Sequence, residues 1–166
     1  LLQRLVDDAA ADGLEIKAAF EIEWGISAGD GDDFISAAVG AAYGMSRLVA
    51  VSDYARDFIE ALGAEGIKVE QFHPEYAAGQ LELSVAAESP VDAADTSVLV
   101  RSTIGAVGRR YGYRTSFSPK VEVDGVGNGG HVHLSAWRDG QNLMAGGNGP
   151  YGLTPDGEAF AAGILN

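Results

Sequence analysis

Between residues 14 and 26 every even position is apolar (Leu14, Ile16, Ala18, Phe20, Ile22, Trp24, Ile26), while Glu15, Lys17, Glu21 and Glu23 fall on odd positions. A period of two sends these sets to opposite faces of an extended chain, which predicts a half-buried strand. Before it, Leu1, Leu2, Leu5, Val6, Ala9 and Ala10 recur at helical spacing until Gly13, a helix with one apolar face. After an acidic turn at residues 29–33, Leu48, Val51, Ala55, Phe58, Ile59 and Leu62 predict one amphipathic helix ending near Gly63 to Gly66. Residues 67–75 and 80–86 read as strands joined by the tight link Ala77-Ala78-Gly79. Ser89-Pro90-Val91-Asp92 resembles a capping box opening a helix that runs to Gly112. The last strands are expected over 113–123 and 131–137, separated by a glycine-rich loop at 124–130, with a hairpin turn at Asp139-Gly140. Thr154-Pro155 caps a final helix through Phe160 and Ile164. The tight links demand antiparallel neighbours, so the predicted class is α+β: a largely antiparallel sheet packed by helices.

Composition narrows the setting. The 166 residues are 46% hydrophobic and 21% charged, a globular balance with enough chain for one core. The first helix starts without an initiator Met and the last has no stop signal, so residues 1–166 are expected to be one segment cut from a longer protein. A net charge of −13 repels phosphate backbones and anionic lipid, which argues against nucleic-acid and membrane partners. There is no cysteine, which excludes disulfides, thiol catalysis and thiolate metal sites. No secretory leader pattern is present, and a cytoplasmic location is the expectation.

Candidate chemistry lies on the polar faces of the strands. Glu21 and Glu23 project from one face, and Glu82 points away from the apolar face of Leu81, Leu83 and Val85. Glu75 is close by in sequence, and His131, His133 and Ser135 share the polar face of the last long strand, opposite Val132, Leu134 and Ala136. Taken singly, each fits a solvent-facing position. Together, carboxylates with an imidazole form a pocket suited to Mg²⁺ or Mn²⁺ rather than zinc, and so to phosphate chemistry. No P-loop spacing and no nucleophile elbow around Ser135 are present. From Thr96 to Val121 the chain has bases (Arg101, Arg109, Arg110, Arg114, Lys120) and no acid, which fits either phosphate contacts or a solvated helix face.

In order along the chain, several motifs resemble the catalytic domain of type I glutamine synthetase and related γ-glutamyl-amine ligases. Phe20-Glu21-Ile22-Glu23-Trp24 resembles its E-x-E strand, and residues 70–82 its E-x-x-H-x-E-x-x-x-G-Q-x-E signature. Ala94-Asp95-Thr96, Phe117-Ser118-Pro119-Lys120 and Gly130-His131-Val132-His133-Leu134-Ser135 resemble three further motifs. The resemblance implies that Glu23, Glu75 and Glu82 hold one divalent ion and Glu21 with His131 a second. It implies Glu70, His133 and Ser135 at the nucleotide and Gly127 at glutamate, whereas Val126 stands where the family has Asn. The segment after Glu82, Leu83 to Ala87, lacks an aromatic or Arg to stack on adenine. The implied reaction joins ammonia or another amine to glutamate through γ-glutamyl phosphate, with ATP as co-substrate, in a ring dodecamer. The family's remaining catalytic and substrate-binding residues would lie beyond Asn166, leaving no catalytic residue within the segment, and its β-grasp domain before Leu1. Two alternatives stand beside this: a metallo-hydrolase, and a degenerate homologue acting as a binding or scaffolding subunit.

Overall fold

In the computed structural model, which describes residues 1–165, the alternating run forms strand β1, Glu15–Ala28. The chain divides into two units: Phe20–Ala86 with Ala94–Val132, here the sheet unit, and Leu1–Ala19, Ala87–Ala93 and the stretch from His133 onward, here the terminal unit.

In the sheet unit, β2 (Val69–Pro74) and β3 (Gln80–Val85) form an antiparallel pair joined through Gly79, whose φ of +75° the turn requires. β3 pairs antiparallel with β1, and β4 (Tyr113–Ser116) pairs antiparallel with the far end of β1. The first residues of β5 (Gly130–Arg138), as far as Val132, also belong to this unit. The even face of β1 packs Trp24 and Ile26 against Leu81 and Leu83 and against Phe58 and Leu62 of helix α3 (Ser52–Ala64), all fully buried. Val100 and Ile104 of helix α4 (Pro90–Arg110) close the same core. Trp24 makes an edge contact with Phe58 at 5.8 Å and stacks on Phe72 at 6.2 Å. The arrangement is the mixed, antiparallel sheet-and-helix fold expected.

Three details differ from the sequence reading. The helix expected around Leu48–Leu62 is two, α2 (Met45–Ala50) and α3, broken at Val51 (φ −120°, ψ 19°). Breaking there buries Val51 to 2% exposure, and its carbonyl takes the Ala55 N–H as the N-cap of α3. The strand expected over 113–123 stops at Ser116: the Ser118 N–H turns back to the Ser116 hydroxyl, Phe117 packs on Trp24, and Pro119 has no N–H for a ladder. Val132 and Leu134, expected on a buried face, are 51% and 40% exposed, so of that trio only Ala136 is buried.

The terminal unit holds α1 (Leu2–Ala11), the β5–β6 hairpin and α5 (Pro155–Ile164). Asp139 and Gly140 have φ of +51° and +75°, the paired left-handed residues of a tight hairpin turn onto β6 (Gln141–Asn142). The Thr154 hydroxyl caps α5 by accepting the Gly157 N–H at 3.1 Å. Among the described residues no helix is long and apolar enough to cross a membrane.

Candidate metal centre

The sheet register assembles the site. Glu23 of β1 stands opposite Glu82 of β3, and Glu82 stands opposite His73 of β2. Directly opposed residues share a face, so His73, Glu82 and Glu23 form a row across three strands, on the side away from Trp24, Leu81 and Leu83. Glu21 lies two residues from Glu23 on that face, and Glu75 follows His73 by two just past the end of β2. The result is two groups whose ligand atoms lie within 4.8 Å of one another: Glu21, Glu23 and His131, and His73, Glu75 and Glu82. His73 Nε2 is 3.2 Å from Glu82 Oε1, and its Nδ1 is 3.7 Å from Glu75 Oε1. His131 Nδ1 pairs with Glu21 Oε1. Beside the first group a cleft of about 290 Å³ is lined by Glu21, Glu23, Arg101, Phe117, Gly129 and His131. Within the basic stretch, the Arg101 guanidinium lies over the Phe117 ring at 4.5 Å.

The electrostatics are those of crowded negative charge. Glu82 is 7% exposed, and burial, then the Glu21 carboxylate, push its carboxyl up to about 7, while His73 pulls the other way. The hydrogen bond and charge of Glu21 hold the His131 imidazolium above its ordinary range. Glu75, with smaller contributions from Glu23 and Glu82, raises the Tyr43 phenol, so these carboxylates act in one field. Carboxylate oxygens with imidazole nitrogens, short of counter-charge, are a donor set that fits Mg²⁺ or Mn²⁺.

Two devices hold these side chains in place. Gln80, 3% exposed, directs Nε2 at Glu23 Oε2 (2.8 Å), the Gly127 carbonyl (2.9 Å) and Asn128 Oδ1 (3.0 Å). Asn128 Nδ2 in turn donates to the Ser118 carbonyl at 2.8 Å, tying the glycine-rich loop to the end of β4. At Gly129 a Cβ would overlap Glu23 Oε1 and lie 2.8 Å from His131 Cε1, so a larger residue there must displace these two side chains.

The structure thus brings Glu21, Glu23, Glu75, Glu82 and His131 onto one face. It groups Glu23 with Glu21 and His131, and it sets His73 beside Glu75 and Glu82. Glu70 lies outside both groups, exposed and paired with Lys68 at 2.5 Å. Gly127 meets the site through its carbonyl. His133 and Ser135 belong to the terminal unit, where the Ser135 hydroxyl accepts the Trp137 indole N–H at 2.8 Å. Sequence reasoning gave no role to His73, Gln80 or Asn128. The first two stand at the H and Q of the signature over residues 70–82, and the register of β2 and β3 shows what each touches.

Residues 1–166 match the family model described as glutamine synthetase, catalytic domain. Gamma-glutamylpolyamine synthetase GlnA3 of Streptomyces coelicolor is 56% identical over 168 residues, covering 99% of this chain and 36% of the relative. A glutamine synthetase of Rhizobium leguminosarum bv. phaseoli is 29% identical over 99% of this chain and 39% of its own length. A solved glutamine synthase homolog superposes with a TM-score of 0.89 at 33% identity, over 99% of this chain and 38% of that one. The chain therefore spans a little over a third of the length of the relatives it matches. With the family model matched from end to end and a fold shared at that similarity, the chain belongs to the glutamine synthetase family, as part of its catalytic domain.

Proposed function

We propose that these residues are the cation-binding core of an ATP-dependent ligase that joins an amine, here a polyamine, to the γ-carboxylate of glutamate. The observation that carries this reading is the pair of carboxylate–imidazole groups on one sheet face. Mg²⁺ or Mn²⁺ bound there would neutralise charge on a transferring phosphoryl group. Glu75 and Glu82 hold one ion and Glu21 with His131 the other. Glu23, opposite Glu82 and grouped with Glu21 and His131, serves as ligand to the first and stands at the border of both. His73 orients the Glu82 carboxylate, and Gln80 fixes Glu23. In the reaction the γ-phosphoryl of ATP passes to a glutamate carboxylate oxygen and ADP leaves. The amine nitrogen then attacks the acyl carbon, inorganic phosphate departs and the nitrogen loses a proton. Glu70, His133 and Ser135 are assigned to the nucleotide and Gly127 to glutamate. Residues outside this stretch complete the site in a cytoplasmic ring of twelve subunits.

A polyamine rather than ammonia is favoured by the identity to a γ-glutamylpolyamine synthetase, and a net charge of −13 attracts a polycation. The test supplies the complete protein with glutamate, ATP, Mg²⁺ and either spermidine or ammonia. The expected result is γ-glutamylspermidine with one ADP and one phosphate per amide, and nothing without ATP. Product from ammonia alone would overturn the polyamine assignment. Amide hydrolysis without ATP, or binding without turnover, would replace the ligase with a metallo-hydrolase or a scaffolding subunit.

A further inference from the structure

Arg47 is a buried cation that the cation-site chemistry does not use. It is 5% exposed, on a helix, α2, only Met45–Ala50 long. A guanidinium taken out of water is strongly disfavoured unless its donors are met. Here backbone carbonyls meet them. Nη1 donates to the carbonyls of Glu75 (2.7 Å), Tyr76 (3.0 Å) and Ala77 (2.8 Å). Nε and Nη2 both donate to the Gly40 carbonyl, at 3.0 and 2.7 Å.

Successive carbonyls thus turn toward one side chain, beginning at a residue of the cation site. β2 ends at Pro74, so the sheet ladder stops just before Glu75. The Glu75 N–H is tied to the Gln80 carbonyl at 2.8 Å, and its carboxylate accepts the Tyr76 N–H at 2.9 Å. The direction of the main chain leaving Glu75, and with it the aim of the Tyr76 N–H that holds the carboxylate, is set by the guanidinium fork. Lysine cannot reproduce this, because one ammonium nitrogen replaces a rigid planar set of donors.

We propose that Arg47 is a positioning residue for Glu75, fixing the loop from Glu75 to Ala77 so that the carboxylate is pre-aimed at the cation. This rests on the reading of Glu75 as a cation ligand. Partners one shell out from a metal ligand typically carry about 10–100-fold in affinity. A merely structural arginine would lower stability and leave the folded protein's affinity unchanged.

The experiment is a Mn²⁺ titration of the complete protein, free Mn²⁺ being followed by its paramagnetic resonance signal. In Arg47→Lys one ion is expected to bind as in the unsubstituted protein and the other about tenfold more weakly. Turnover should recover at saturating Mg²⁺, which marks an effect on KM for the cation rather than on kcat. In a Glu75→Gln background Arg47→Lys should add no further weakening. Arg47→Gln, which keeps amide donors without a buried charge, is expected to act alike and serves if Arg47→Lys does not fold. Folded variants with both affinities unchanged, or a weakening that persists beside Glu75→Gln, would overturn the assignment to Arg47. An unsubstituted protein that binds no Mn²⁺ would overturn the cation site itself, and this inference with it.

Discussion

Glu82 is 7% exposed, and burial, then the nearby Glu21 carboxylate, push its carboxyl up to about 7 even though His73 pulls the other way. A carboxyl whose folded pKa is raised contributes stability that is full below its unfolded value and is lost as pH rises through the folded value. The cation-free protein is therefore expected to lose urea resistance between about pH 5 and about pH 8, and Glu82→Gln to flatten that slope. The same proton competes with a cation, so Mn²⁺ affinity should rise across this interval. His131, whose pKa the Glu21 hydrogen bond and charge raise, acts in the same sense because an imidazole must lose its proton to ligate. Calorimetric titrations at several pH values check this. A pH-independent affinity would remove Glu82 and His131 from the ligand set.

Loop and strand geometry make further demands. A methyl group at Gly129 meets Glu23 and His131, so Gly129→Ala is expected to push both aside and weaken cation binding by about tenfold, with little change in melting temperature. Phe58, fully buried against Trp24 and Phe72, behaves oppositely: Phe58→Ala should cost about 3–5 kcal/mol in chemical denaturation. The contrast separates ligand placement from core. It also shows what the sequence makes legible. β1 could be read from Leu14 onward because one face is buried and the alternation is strict. The break at Val51 could not, since the apolar period runs straight through it and the interruption is made by burial of Val51. The alternation over 113–123 outruns β4 because Phe117 keeps the period, although it packs on Trp24 just after the ladder ends. Glu21 and Glu23 show their shared face from spacing alone, whereas His73 meets Glu82 only through cross-strand register. Local patterns carry no register, so the partner of a cluster is the last thing they reveal.

The chain spans little more than a third of its relatives' length, so these residues alone are expected to bind Mn²⁺ yet turn over neither glutamate nor ATP. Leu1, Leu2 and Leu5 of the first helical stretch are 91%, 40% and 54% exposed, apolar surface that would favour self-association of the isolated chain, measurable by light scattering. On the proposed reading, two adjoining carboxylate–imidazole groups form a paired divalent-cation centre. Crystals of the complete protein soaked in Mn²⁺ test it most directly through anomalous scattering. Two peaks are expected, one at Glu21 and His131 and one at Glu75 and Glu82, with Glu23 between them. A map with no peak at these side chains, or with Mn²⁺ held only elsewhere, would contradict it.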